Sequence, residues 1–306
     1  MSNRTTVTEF LLLGFSDIQE LQILHFVGFL VIYLTGLMGN LLIFIAITFN
    51  HRLHTPMYFF LMNLSVLDFG SLSVTIPKSM AVSLLNTRSI SYAGCVAQVF
   101  FFLFLVATDF FLLTIMAYDR YIAICQPLHY NRVMNRSVCV QMAIGAWITG
   151  FLYSVLLTGN TFALPFCGGN IVDQFFCEIP QLLKLICADS YRRKFGPLAF
   201  VICLSLCCFV FIIVSYVQIF KSVLRIPSEQ GRHKTFSTCL PHLTVVSLFV
   251  WTAMIAYLKP TSNSVSRLDL VLAVLYSVLP SVMNPIIYSM RNKEIQVALR
   301  RLIGCR

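Results

Sequence analysis

Two carboxylates stand inside runs that are otherwise free of charge. Asp68 is the one charged residue between Met57 and Pro77, and Asp109 the one between Ser89 and Tyr118. An acid at the centre of a lipid-embedded helix costs at least ~2.5 kcal/mol, so both should face the inside of a helix bundle and have partners there. Two carboxylates buried together repel unless one is protonated or a cation lies between them. Asn40, in a Gly-Asn pair, and Asn284, in an Asn-Pro pair, offer oxygen ligands for such a cation.

A third charged group, the Asp119-Arg120-Tyr121 triplet, ends the run that holds Asp109. An arginine there can pair with its neighbouring acid or release to meet a partner; the plainer reading is an interfacial arginine reaching for water. Cys167, Cys177 and Cys187 follow at ten-residue spacing, and Cys95 opens the third run. Four cysteines on an oxidising side of a membrane predict two bridges, and spacing leaves all three pairings open. A bridge from Cys95 would pin the Cys-rich loop over the bundle, worth ~4 kcal/mol of loop entropy. The other seven cysteines read as small apolar filler.

The elements that must position these residues are long and apolar. Of 306 residues 58% are hydrophobic and only 11% charged, against about a quarter charged in a soluble domain. Uncharged runs cover Leu21–Asn50, Met57–Pro77, Ser89–Tyr118, Ser137–Val172, Phe195–Phe220, Thr235–Leu258 and Leu270–Met290, with Asp68 and Asp109 the exceptions. Each reaches the ~20 residues a bilayer core requires, and backbone amides in lipid must pair within the segment, so helix is the expected form. The tail of the fourth run, with Pro165, Cys167, Gly168 and Gly169, reads as loop. The fold class is therefore an all-α integral membrane protein: one domain, a seven-transmembrane helix bundle. Asn292 to Ile303 mixes Lys293, Glu294, Arg300 and Arg301 with Ile295, Val297, Leu299 and Leu302, the pattern of a short amphipathic C-terminal helix at the interface.

Charge sets the expected orientation. With the N-terminus outside, thirteen of the 22 Lys and Arg fall on the cytoplasmic side, against three acids; seven acids fall outside. This is the positive-inside pattern. It makes residues 1–22 an extracellular N-terminus, 163–194 a long extracellular loop and 291–306 a cytoplasmic tail. Residues 1–20 hold no apolar core followed by a small-residue cleavage site, so the first span is expected to act as an uncleaved insertion signal. Asn3-Arg4-Thr5 fits a glycosylation acceptor on the outer side. Cys305, after a basic stretch, fits a palmitoylation site. The net charge of +10 belongs to the cytoplasmic ends, and no nucleic-acid partner is expected.

Five motifs in order carry a resemblance: LHTPMYFF from Leu53 to Phe60, MAYDRYIAIC from Met116 to Cys125, Ser215-Tyr216, KTFSTCLPH from Lys234 to His242, and PIIYSMRN from Pro285 to Asn292. Together they resemble the signature set of vertebrate olfactory receptors, within the rhodopsin-like G-protein-coupled receptors, over about Thr8 to Ile303. The resemblance implies a plasma-membrane receptor, expected in olfactory cilia. It implies a small-molecule odorant bound between the outer halves of the helices, and a stimulatory heterotrimeric G protein that raises cyclic AMP. The bridges implied are Cys95–Cys177 and Cys167–Cys187. A sodium ion is implied at Asp68 and Asp109, although the family more often has Glu in place of Asp109. Asp119, Arg120, Tyr121, Tyr216, His242 and Tyr288 become the expected coupling and switch residues. Pro197, Pro241, Pro280 and Pro285 become hinges or static kinks.

Helix phase and the family's usual positions place the ligand against Leu103, Val106 and Ala107 of the third span, and Phe200, Val201 and Leu204 of the fifth. The sixth would add Ala253, Met254 and Tyr257, and the seventh Ser277. None is charged, so the expected ligand is neutral and largely apolar, oriented by one or two hydroxyl contacts. Burying ~250 Å² of such a ligand yields ~6 kcal/mol, an affinity of tens of micromolar. One departure stands at the sixth span: Val250-Trp251 follows Phe249 where the family commonly has Tyr-Gly. A channel would need a polar path, and an intramembrane enzyme a nucleophile, paired acids or HExxH. Beyond Asp68 and Asp109 none appears, so the chain is expected not to be an enzyme. An amine receptor would carry an acid on the outer third span, where Phe102 and Leu103 stand. The remaining alternative is a rhodopsin-like receptor for a non-odorant small molecule in a non-olfactory tissue.

Overall fold

The computed structural model describes residues 7–14, 18–85, 87–187, 191–258, 267–291 and 293–302. Asn3 and Cys305 lie outside them. Strand β1 (Glu9–Leu12) precedes α1 (Gln19–Phe49) and α2 (Pro56–Leu85). Then come β2 (Ser89–Ser91), α3 (Tyr92–Cys125), the single turn α4 (Tyr130–Val133) and α5 (Arg136–Phe162). Strand β3 (Ile171–Val172) and the short α6 (Ile179–Leu185) lie in the long loop. Helices α7 (Tyr191–Leu224), α8 (Glu229–Leu258), α9 (Arg267–Arg291) and α10 (Lys293–Leu302) complete the chain. Seven of these, α1, α2, α3, α5, α7, α8 and α9, are long and apolar enough to cross a bilayer.

The helix ends follow local chemistry. Ser91 caps α3 by accepting from the Gly94 amide at 3.1 Å, and Asn135 caps α5 through Val138 N at 3.0 Å, each satisfying an orphan N–H of a first turn. The fourth apolar run stops being helix at Phe162, just before the Pro- and Gly-rich tail. The second run continues past Pro77 to Leu85. There the Lys78 ammonium donates to the carbonyls of Ser89 at 2.7 Å and Thr87 at 3.2 Å, so its charge is absorbed by the turn after α2.

Helix α3 is the axis of the bundle and touches α2, α5, α7 and α8. Close approach is bought by small residues, as expected where packing rather than water drives helix association. A Cβ built on Gly150 of α5 would lie 2.0 Å from Thr108 Oγ1 of α3, and one on Gly36 of α1 2.5 Å from Leu72 Cδ1 of α2. Buried hydroxyls are neutralised within their own helices: Thr75 donates to Ser71 O and Ser79 to Thr75 O, both at 3.0 Å. Outward positions such as Val31, Leu34, Leu206 and Val210 are exposed, the inverse of a soluble fold.

At one end a three-stranded sheet, ordered β2-β1-β3, closes the bundle. β1 runs antiparallel to β2, with Phe10 opposite Ile90, and parallel to β3, with Leu11 opposite Ile171. Phe10 and Leu12 are buried while Glu9 and Leu11 face out, the two-residue alternation of a strand on an apolar surface. At the other end α10 lays Ile295 and Ala298 against the bundle, and the Tyr58 hydroxyl of α2 donates to Glu294 at 2.7 Å.

Candidate functional site

The long loop is fixed before any site is formed. Cys177 is bonded to Cys95 at the start of α3, and Cys167 to Cys187 within the loop. The Cys177 amide donates to Gln98 Oε1 at 2.9 Å, and Gln98 Nε2 donates to Val74 O of α2 at 3.0 Å. Residues 175–180 are thereby drawn across the bundle. Phe175 and Phe176 pack on Leu270 and Ala273 of α9, with Phe102 of α3 edge-on to Phe176.

Beneath this loop lies a cavity of about 110 Å³. Its walls are Val99, Phe102, Leu103 and Val106 of α3, Phe249 and Thr252 of α8, Tyr276, Ser277 and Pro280 of α9, and Leu67 and Ser71 of α2. Glu178, Ile179 and Pro180 roof it, and Asp68 and Asp109 lie in its lining. Phe249 stacks on Phe110 of α3 with ring centroids 5.4 Å apart and 12° between planes. Ser277 donates to Ala273 O at 2.7 Å, which leaves its oxygen able to accept.

The oxygen cluster fits a hard cation. Asn284 Nδ2 donates to Asp68 Oδ2 at 2.9 Å, and Asn40 Nδ2 donates to Ser281 O and Gly36 O, each at 3.0 Å. Their nitrogens spent, Asn40 Oδ1 and Asn284 Oδ1 are buried with no hydrogen-bond partner, and so is Asp109 Oδ1. Two orphaned amide oxygens together with the two carboxylates make an all-oxygen donor set, which suits a hard cation rather than a soft metal.

At the end opposite the sheet, Asp119 is fully buried. Arg120 donates to its Oδ2 from Nε at 3.0 Å, and Tyr130 of α4 donates to its Oδ1 at 2.8 Å. Burial, and then the Asp119 charge, push the Tyr130 phenol well above its usual range, so it remains a donor. One layer deeper, His242 Nε2 lies 3.0 Å from the Leu113 carbonyl of α3, and His242 Nδ1 lies 2.6 Å from the Tyr216 hydroxyl. A carbonyl only accepts, so Nε2 carries the proton and Nδ1 accepts from Tyr216. Three helices, α3, α7 and α8, are thus tied through one imidazole. Tyr288 is buried nearby with its hydroxyl unbonded, and Tyr121 is partly buried against the same core.

Comparison with known proteins places this architecture. A family model described as "Olfactory receptor" matches residues 29–305. Human olfactory receptor 14A16 is 53% identical over 303 residues, covering 99% of this chain and 98% of that protein. Mouse olfactory receptor 4E2 is 45% identical over 300 residues, covering 98% and 96%. The chain belongs to the olfactory receptor family. The fold extends further: a crystal structure of squid rhodopsin superposes with a TM-score of 0.68 at 18% identity, covering 94% of this chain and 87% of that one. As an olfactory receptor the chain is a multi-pass membrane protein and not an enzyme.

The receptor brings only some of the expected pocket residues together. Leu103, Val106 and Ser277 line the cavity. Ala107 is buried one position round α3 in the central core, and Leu204 packs against that core. Val201 is buried against Val99 and Cys177. Phe200 is 62% exposed and Met254 50% exposed, so neither reaches the cavity. The reason is helix phase at ~100° per residue. On α8 the inward face is set by Phe249 and Thr252, and Met254 lies two positions, about 200°, further round. It lines an outer groove between α7 and α8 instead, together with Val250 and the 60% exposed Trp251. The side chains of Ala253 and Tyr257 lie outside the described residues.

Sequence reasoning missed Glu178, Tyr276, Thr252 and Phe249. For Glu178 a signal existed: it follows Cys177, so the one pairing that joins Cys177 to Cys95 carries it over α3. Tyr130 and the Leu113 carbonyl had none, because a loop phenol and a backbone oxygen have no sequence pattern.

Proposed function

We propose that this receptor binds a small, largely apolar odorant in the cavity between α2, α3, α8 and α9 and then activates a stimulatory G protein that raises cyclic AMP. The observation that carries the reading is the cavity's position. It touches Phe249 of α8, seven residues along the same helix from His242. An odorant that parts Phe249 from Phe110 moves α8 away from α3, and that motion breaks the His242 bonds to Leu113 and Tyr216. Two such hydrogen bonds are worth roughly 1–3 kcal/mol. An odorant shifts the equilibrium only by its difference in affinity for the two states, so that difference must exceed this amount. Release of α8 then exposes Arg120 for the G protein.

At about 110 Å³ the cavity is smaller than typical ligand pockets of ~300–1,000 Å³, and in this reading it belongs to the closed receptor and widens as the odorant enters. In this reading the sheet and disulfide end is extracellular and the Arg120 end cytoplasmic, in keeping with the basic residues that gather there. The chain then resides in the plasma membrane of olfactory cilia. Sodium held by Asp68, Asp109, Asn40 and Asn284 would neutralise the carboxylates and stabilise the closed bundle. An odorant panel applied to cells expressing the chain, with cyclic AMP as readout, tests the reading. A rise that is lost when the stimulatory α subunit is deleted supports it. A response through another second messenger, or only to non-volatile ligands, refutes it.

A further inference from the structure

The apolar cavity ends, under the tethered loop, on a carboxylate. Glu178 is 5% exposed and lines the cavity. Its Oε2 accepts from the Tyr276 hydroxyl and its Oε1 from Gln174 Nε2 at 3.1 Å, while the same amide also donates to Tyr276 Oη at 3.1 Å. The bridge at Cys177 and that residue's amide bond to Gln98 fix the backbone next door, so the carboxylate is held over the cavity. Ile179 and Pro180 beside it complete an apolar roof.

We propose that Glu178 is the specificity-determining residue of this cavity, selecting compact apolar odorants that carry one hydroxyl donor over molecules of the same shape that carry acceptors alone. The proposal rests on the cavity being the odorant site. An ionised carboxylate is an acceptor with about four lone-pair positions, so a ligand hydroxyl can join Tyr276 or displace it. Bonds to a charged acceptor are roughly twice as strong as neutral ones. An ether or ester oxygen placed there meets another acceptor and gains nothing, and sites built for a hydroxyl discriminate strongly against analogues lacking it. Size narrows the class further. A cavity of about 110 Å³ is smaller than the ~150 Å³ space that holds a benzene ring, so short or compact skeletons enter without displacing the loop. Tyr276 belongs to α9 and acts as a positioning residue: a hydroxyl that takes Glu178 from it also loosens the loop from that helix.

The test uses the full chain in cells at matched surface density. The probes are primary alcohols of about three to four carbons, short enough for a space smaller than that of a benzene ring, each paired with the isomeric methyl ether of equal heavy-atom count. The wild type responds to at least one alcohol at about tenfold lower concentration than to its ether. Glu178→Gln keeps the shape but loses the charge, and it raises the alcohol's half-maximal concentration by about tenfold while leaving the ether unchanged. Tyr276→Phe removes one competing donor, with Gln174 still in place, and lowers the alcohol's value but not the ether's, which decides the matter should Glu178→Gln fail to reach the surface. Equal potency of alcohol and ether, parallel shifts of both, or a panel with no active alcohol overturns the proposal. Leu103→Trp separates the two levels. If it leaves responses intact, the cavity reading itself falls; if it abolishes them while Glu178→Gln shifts alcohol and ether alike, only the role of Glu178 falls.

Discussion

Replacing Gly150 by alanine probes how tightly the bundle is closed around α3. The added methyl would lie 2.0 Å from Thr108 Oγ1, 3.0 Å from Thr108 N and 3.1 Å from Thr108 Cα. The hydroxyl is not free to turn away, because it is buried and donates to Phe104 O at 2.7 Å. Even if it did, the backbone atoms would remain, so α5 must move off α3. Overpacking of this kind costs about 1–3 kcal/mol, roughly a 5- to 150-fold loss in the folded-to-unfolded ratio. Thr108→Ala in the same chain removes the worst contact but not the backbone ones, so the double variant should recover only part of the loss. Gly145 and Gly159 on the same helix supply the control. Nothing lies within 4 Å of a Cβ at either, so alanine there should be neutral or stabilising by up to about 1 kcal/mol. Thermal unfolding of purified receptor in detergent, with surface expression alongside, reads the series. A Gly150→Ala midpoint equal to wild type, or one no lower than Gly145→Ala, refutes the close α3–α5 approach.

Tyr216→Phe leaves the buried His242 Nδ1 without its donor, a loss of about 1–3 kcal/mol from the closed state; odorant-free cyclic AMP should rise at matched surface density, and an unchanged baseline contradicts the lock. The two bridges should differ in weight. With cysteines 82 and 20 positions apart, loop entropy gives about 4.5 and about 3.3 kcal/mol. Cys95→Ser should therefore lower surface expression more than Cys167→Ser, and the reverse order contradicts this. Asp68→Asn should abolish any shift of the thermal midpoint, and of signalling, between sodium and a bulky organic cation. A sodium effect that survives removes the cation from Asp68.

The helices were legible in the sequence because lipid imposes a coarse rule, a long stretch without charge, and the rule does not depend on neighbours. The short elements were not. β1 has four residues and α6 seven, and each exists because Phe10, Leu12, Ile179 and Leu182 find an apolar surface that only the assembled bundle provides. The lining of this cavity was legible where the helix phase was anchored, as at Leu103 and Val106 next to buried Val99, whereas a step of one or two residues in phase places Phe200 and Met254 on the outer surface. The acids behaved differently. Asp68 and Asp109 announced themselves because lipid makes charge expensive. Glu178 lay hidden in a loop where acids are ordinary, and its place followed only from the covalent tie beside it.

Val106→Trp tests most directly whether occupancy of the cavity drives the receptor. The indole would fill a wall position between Leu103 and Asp109 without touching Arg120, Tyr216 or His242. Cyclic AMP should no longer respond to odorants that activate the wild type, at equal surface density. Dose–response curves that superimpose for the two receptors would place the odorant elsewhere and contradict the reading.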